Sequence, residues 1–243
     1  MDSPDNKIKS ILGFTLIELI IVIALLSIIA VMTSHYIVTG TEIYADTAAR
    51  DKALSNAHFV SQRMHREIAH ALPNSVSVSN NCLTFTPIIA TAVYDKHNFP
   101  IGKSAVKGTI STIANYEFHR GDKVVIDLKN VNELTNTQKV KRIKGINADK
   151  NNLYFYNKVS FVSGSIDQYL YIINKNTSYY FTDKNQLFRG SNCSNGVLMA
   201  ENIKGRFSML KGFNAKQTSV RTTFNLLFSD QELPFVQKMP VNQ

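Results

Sequence analysis

Nineteen consecutive residues, Phe14 to Met32, carry a single charged side chain, Glu18. At about 1.5 Å per residue they reach about 28 Å as a helix, close to the ~30 Å hydrocarbon core of a bilayer. Lipid offers no partner for backbone N–H and C=O groups, so a spanning segment of this kind is predicted to be helical. Lys7 and Lys9 precede it, and Glu42 and Asp46 follow. The positive-inside bias then places the N-terminus in the cytoplasm and the long C-terminal part across the membrane. A cleaved secretory signal has a shorter apolar region and a small-residue cleavage site, and Val31-Met-Thr-Ser-His35 offers no convincing one.

A plain membrane anchor leaves Glu18 unexplained. A charged carboxylate near the start of a spanning helix costs a few kcal/mol, less near the interface, and such residues are functional candidates with a partner to be named. If the chain is cut after Gly13, Phe14 presents a new α-amino group four residues from Glu18. That amine can pair with Glu18 within one chain or between staggered chains, which would make a buried charge a device for registering subunits. The competing reading is an interfacial Glu at the positive end of the helix.

Gly13-Phe14-Thr15-Leu16-Ile17-Glu18, joined to an apolar run, resembles the cleavage and methylation signature of type IV prepilins. The resemblance implies cleavage between Gly13 and Phe14 by prepilin peptidase, N-methylation of Phe14, and a role for Glu18 in subunit packing. It divides the chain into a leader (1–13), a transmembrane and assembly helix (14–38), an amphipathic continuation (39–72) and a β-rich periplasmic head (73–243). The implied partners are other major and minor pilins, the peptidase and the inner-membrane assembly platform. The implied path runs from the inner membrane of a Gram-negative bacterium into a pilus filament.

Past the membrane, Ala49, Ala53, Ala57, Val60, Met64, Ile68 and Leu72 recur every three or four residues and predict one apolar helix face. Gly40 can bend this helix without ending it. Leu72-Pro73 ends it, because proline disfavours helix in its predecessor. Unbroken from Phe14 to Ala71, the helix would be ~87 Å long. The stretches Thr39–Arg50 and His65–Val76 resemble the minor pilins of the mannose-sensitive haemagglutinin (MSHA) pilus, which implies a role in pilus biogenesis and cell adhesion.

After Pro73 the period shifts towards two. Val76–Val78, Leu83–Phe85, Val124–Ile126, Leu153–Tyr156, Tyr169–Ile173, Tyr179–Phe181 and Val220–Phe228 read as strands. Turns are expected at Asp149–Asn152, Asn174–Thr177, Asp183–Asn185 and Arg189–Asn192. One helix followed by many strands predicts an α+β fold, with a mainly antiparallel sheet on the amphipathic helix face. Phe224, Leu226 and Phe228 are placed on the core side, and the polar stretches 95–107 and 130–152 on the surface.

Only two cysteines occur, Cys82 and Cys193, both beyond the apolar segment. In an exported chain they have one intramolecular option, a disulfide, which closes a loop worth about 4–5 kcal/mol on the chain-entropy model. The alternative is two unrelated thiols.

No enzyme, cofactor or metal site is expected. His65 and His70 are five residues apart, about 140° around a helix, whereas zincin histidines lie four apart on one face; they read as solvated side chains. Asp149-Lys-Asn and Asp183-Lys-Asn lack the later acidic ligand of a calcium loop. The net charge of +9 is met by a basic solvated surface or by an acidic partner. Lys139-Val-Lys-Arg-Ile-Lys144 is the densest basic cluster, and is read as an exposed edge strand guarded by lysine rather than as a nucleic-acid site. Two other functions share these features: a J-type minor pseudopilin of a type II secretion system, and a membrane-anchored adhesin or enzyme.

Overall fold

The computed structural model describes residues 14–79, 81–211, 218–228 and 231–241. Residues 1–13, the expected leader with Gly13, lie outside them, as does the side chain of Phe228. The chain divides into two compact bodies, Met1–Asp51 and Lys52–Gln243. In the first, the described residues form the N-terminal part of α1 (Leu16–Ala69), which runs through Gly40 without interruption.

The second body begins with the rest of α1. Ala57, Val60, Ser61, Met64 and Ile68 are its buried positions, a stripe at three- and four-residue spacing. Ala49 is exposed and Ala53 half-buried, so the apolar face is shorter than the sequence pattern predicts. The helix ends at Ala69. Ala71 has already left it to bridge Pro87, and Leu72 N–H donates to Thr86 O at 2.8 Å. Pro73 explains why Leu72 is diverted from helix to extended pairing.

Strands β1 (Ser77–Ser79), β2 (Cys82–Phe85), β3 (Ile88–Val93), β4 (Ala105–Thr109) and β5 (Lys123–Val125) follow. A short 3-10 turn (Val131–Thr135) leads to β6 (Val140–Ile146), β7 (Asn152–Val159), β8 (Tyr169–Ile173), β9 (Thr177–Thr182) and β10 (Gln186–Ser191). The chain closes with β11 (Ser194–Ala200), β12 (Ile203–Lys211), β13 (Thr218–Phe228) and β14 (Gln231–Val241). The fold is α+β, with α1 packed on antiparallel strands, but the strands form three sheets rather than one.

The first sheet has the order β1-β2-β9-β10-β11 and the second β12-β13-β14. Together they supply the core beneath the helix: Leu83, Phe85, Tyr179, Leu187, Ile203, Val220 and Phe224 pack with Ala57, Val60, Met64 and Ile68. Phe224 and Leu226 are buried, as their alternation predicts. Fully burying a side chain such as Met64 or Ile68 contributes roughly 1.5–3 kcal/mol.

The third sheet, β3-β8-β5-β6-β7-β4, comes entirely from residues 88–173, between β2 and β9. Its two outer strands run on into a bridge, Tyr94↔Ile110, flanked by Ser111 N–H to Val93 O (2.7 Å) and Asp95 N–H to Thr109 O (3.1 Å). The sheet therefore closes on itself around its own aromatic core of Tyr94, Phe99, Phe155 and Phe161. Closure satisfies edges that would otherwise invite pairing with another chain. Gly108 in β4 is required by that core, since a Cβ there would sit 2.5 Å from the Phe99 ring.

This sheet corrects two sequence expectations. Residues 95–107 and 130–152 are not simple surface excursions, because β4 begins in the first and β6 lies in the second. Nor is Lys139–Lys144 an edge strand: β6 is interior, paired with β5 on one side and β7 on the other.

Cys82 and Cys193 are joined as a disulfide, with Cα atoms 5.9 Å apart and a sequence separation of 111. Cys193 sits with Asn192 in the two-residue turn between β10 and β11, and both have positive φ (59° and 52°), the backbone of a type I′ hairpin. The bridge ties that hairpin to the start of β2. Replacing both cysteines with serine is expected to cost about 3–5 kcal/mol in urea unfolding of the detergent-solubilised protein. Reductant should destabilise the parent chain equally and leave the double variant unchanged.

Candidate functional site

The N-terminal end of α1 begins at a cap. Thr15 precedes the first helical residue, its carbonyl accepts from Leu19 N–H (3.2 Å), and its Oγ1 accepts from Glu18 N–H (3.3 Å). Four N–H groups at any helix start lack intrahelical partners, and a Thr side chain at this position satisfies one of them. Thr15-x-x-Glu18 is also the spacing of a capping box, so Glu18 occupies the third position of the first turn, near the positive end of the helix dipole. Phe14 stands before the cap and is 74% exposed. Phe14 and Glu18 stand out in the sequence by type, and Thr15 is signalled there only by its Thr-x-x-Glu spacing.

Every described residue from Phe14 to Lys52 is exposed. The helix contains an 18-residue window of mean hydropathy 2.8, none of it buried. A core helix of the same composition would be buried by its own chain, whereas the described residues of this segment are all exposed. Hydroxyls along it turn back onto the helix: Ser27 donates to Ala24 O, Thr33 to Ile29 O, Ser34 to Ala30 O, Thr41 to Val38 O and Thr47 to Ile43 O, each at 2.8 Å. Such back-bonding satisfies polar groups with no outside partner, the condition hydrocarbon imposes. One charge, Glu18, thus sits at the end of a long surface suited to lipid or to other apolar helices.

Residues 8–34 match the prokaryotic N-terminal methylation motif. The match supports a type IV pilin-like prepilin or pseudopilin, a substrate of prepilin peptidase anchored through this helix. No curated protein and no solved structure matches the chain.

Within the second body, a charged group fastens the helix to its sheet. Glu67 accepts from Arg63 Nε on its own helix (3.0 Å) and from Arg189 Nε on β10, which reaches both carboxylate oxygens (2.9 and 3.1 Å). Burial acts to lower the Arg189 pKa, and the Glu67 carboxylate overcomes that and raises it. The Tyr179 hydroxyl is buried beside this group without a hydrogen bond of normal geometry. Burial, then the Glu67 charge, pushes its pKa up. Sequence reasoning missed the Glu67–Arg189 pair, whose members are 122 residues apart.

The remaining candidates take structural roles. His70 is exposed with Nδ1 2.8 Å from Arg66 O, as expected of a solvated helix histidine, but His65 is only partly so, its Nδ1 being buried. Asp149 lies in a turn organised by Asn147, whose Oδ1 accepts from Asn151 and Asn152 N–H. Asp183 lies in the β9–β10 turn with Asn185 at φ 56°. In the basic cluster, Lys139 is bound to Glu133 (2.8 Å), which with Lys129 N–H holds that carboxylate below its ordinary pKa. Burial lowers the pKa of Lys141.

Removing either arginine from Glu67 separates local from long-range contributions. Arg63→Met should cost about 0.3–0.5 kcal/mol, the scale of an i,i+4 pair. Arg189→Met should cost about 1–2 kcal/mol, because its charge-assisted bonds join helix to sheet. Equal losses in urea unfolding would contradict this division.

Proposed function

We propose that the chain is a minor pilin of an MSHA-type pilus, similar to the minor pilin MshO, that takes part in initiating filament assembly near the tip. The observation that carries this reading is a matched methylation motif on a capped, wholly uncovered apolar helix with a single carboxylate in its first turn. The narrower MSHA assignment rests on Thr39–Arg50 and His65–Val76.

Prepilin peptidase cuts between Gly13 and Phe14 and methylates the Phe14 amine. The leader remains cytoplasmic, and the head, 73–243, is delivered to the periplasm. While the subunit waits in the inner membrane, the helix dipole stabilises the Glu18 carboxylate near the interface. In the filament the apolar faces of neighbouring pilin helices replace lipid, and Glu18 pairs with the α-amine of an adjacent subunit. Removing one partner of such a pair leaves an unpaired charge in an apolar setting, at a cost of about 3–5 kcal/mol. That difference favours the correct axial register over its neighbours. The assembly platform extracts the subunit and adds further pilins beneath it.

Gly13→Val is expected to leave an uncleaved precursor in the membrane, visible as a slower band on immunoblots. Glu18→Ala is expected to be cleaved normally yet missing from sheared filaments, with filament number reduced. Wild-type recovery of Glu18→Ala in filaments would overturn the pairing role. Normal piliation after deletion of the gene, with loss of type II secretion, would instead assign the chain as a J-type pseudopilin.

A further inference from the structure

The closed six-stranded sheet carries a pocket of about 650 Å³ on its outer surface, far in sequence from the assembly helix. Four cations line it, Arg120, Lys123, Arg142 and Lys175, and no carboxylate does. None of the four forms an ion pair among the described residues. The strand alternation explains the convergence. Val124, Ile143 and Phe155 point into the sheet's own core, so their neighbours Lys123, Arg142 and Tyr156 on three adjacent strands point out together.

Lys123 and Arg142 are register partners, directly opposite on β5 and β6. Like charges in that relation are destabilising, so the arrangement has no folding rationale of its own. A neighbouring carboxylate is engaged elsewhere: Asp122, fully buried, accepts from Tyr116 OH (2.7 Å), His119 N–H (2.9 Å) and Asn174 Nδ2 (2.6 Å). Those bonds hold the turn that carries Arg120 and Gly121, whose φ of 104° suits glycine, and Asn174 itself lines the pocket.

We infer that this pocket binds an acidic sugar unit of a polysaccharide, through carboxylate or sulfate oxygens on the cations. Tyr156, 57% exposed, offers a face for the sugar ring, and the amides of Asn157 and Asn174 serve its hydroxyls. Nucleic acid fits less well. A single-strand channel spreads its cations along a groove and supplies successive aromatic platforms, whereas here one aromatic and four cations surround one cavity.

The test uses full-length protein in detergent and three labelled probes: a polygalacturonate hexamer, a heparin-derived hexasaccharide and a single-stranded DNA of similar charge. At least one acidic sugar should bind, with affinity falling several-fold between about 0.05 and 0.3 M NaCl as screening increases. Carboxylate and sulfate sources are separated by which of the two sugars binds more tightly. Arg142→Gln and Lys123→Gln should each weaken binding about tenfold, the effect of losing one charge-assisted hydrogen bond. Arg142→Lys should retain most of it. Melting temperature should hold or rise in the Gln variants, since each relieves the opposed pair. Lys144→Gln makes the same charge change on the same strand outside the pocket and should leave binding intact. Equal weakening in Lys144→Gln, no effect of the pocket variants, no binding of either sugar, or tighter pocket-dependent binding of DNA would each overturn the inference.

Discussion

Every described residue of the apolar segment between Phe14 and Val38 is exposed, and that constraint governs how this end of the chain can behave. Backbone groups in such a segment have no water to bond, so helix is imposed; its hydroxyls must fold back, and they do. Its one carboxylate sits in the first turn, near the positive end of the helix dipole. A chain with this end needs two apolar environments in turn if it is to leave the membrane, and packed helices of other subunits are the natural second one.

The same helix carries a different obligation beyond Lys52. From Ala57 to Ile68 it presents a narrow stripe to a core built by two separate sheets, whose strands come from both sides of residues 88–173 in sequence. Glu67 and Arg189 fasten helix to sheet from one side, and the Cys82–Cys193 bridge fixes the neighbouring hairpin to β2. The closed third sheet has its own aromatic core and contributes nothing to the helix-facing one. The two cores are joined by a smaller cluster in which Leu72, just past the helix, packs with Val125, Leu128 and Ile173.

The apolar helix and its continuation were legible in the sequence because solvent chemistry leaves one solution for each. The strands seen in advance, such as Tyr169–Ile173, are those whose alternation or continuous burial is strong. β14 was missed because Pro234 and Pro240 interrupt it; an outer strand of its sheet tolerates them, having a side with no ladder to complete. β6 was misplaced because lysines on a strand suggest an edge, whereas Arg142 and Lys144 are simply the outward half of an interior strand around buried Ile143. Closure through Tyr94↔Ile110, the Glu67–Arg189 pair and the pocket join residues distant in sequence, so no local pattern announces them. Thr15 is the exception: its spacing to Glu18 was open to view.

Cleavage after Gly13 would free the amine of Phe14 one helical turn from the Glu18 carboxylate. Mass spectrometry of the N-terminal peptide of the mature protein, isolated from cells with an active prepilin peptidase, tests it most directly. The account predicts a chain that begins with N-methylated Phe14 followed by Thr15. A chain that retains Met1, or one cut at any other bond, would contradict it.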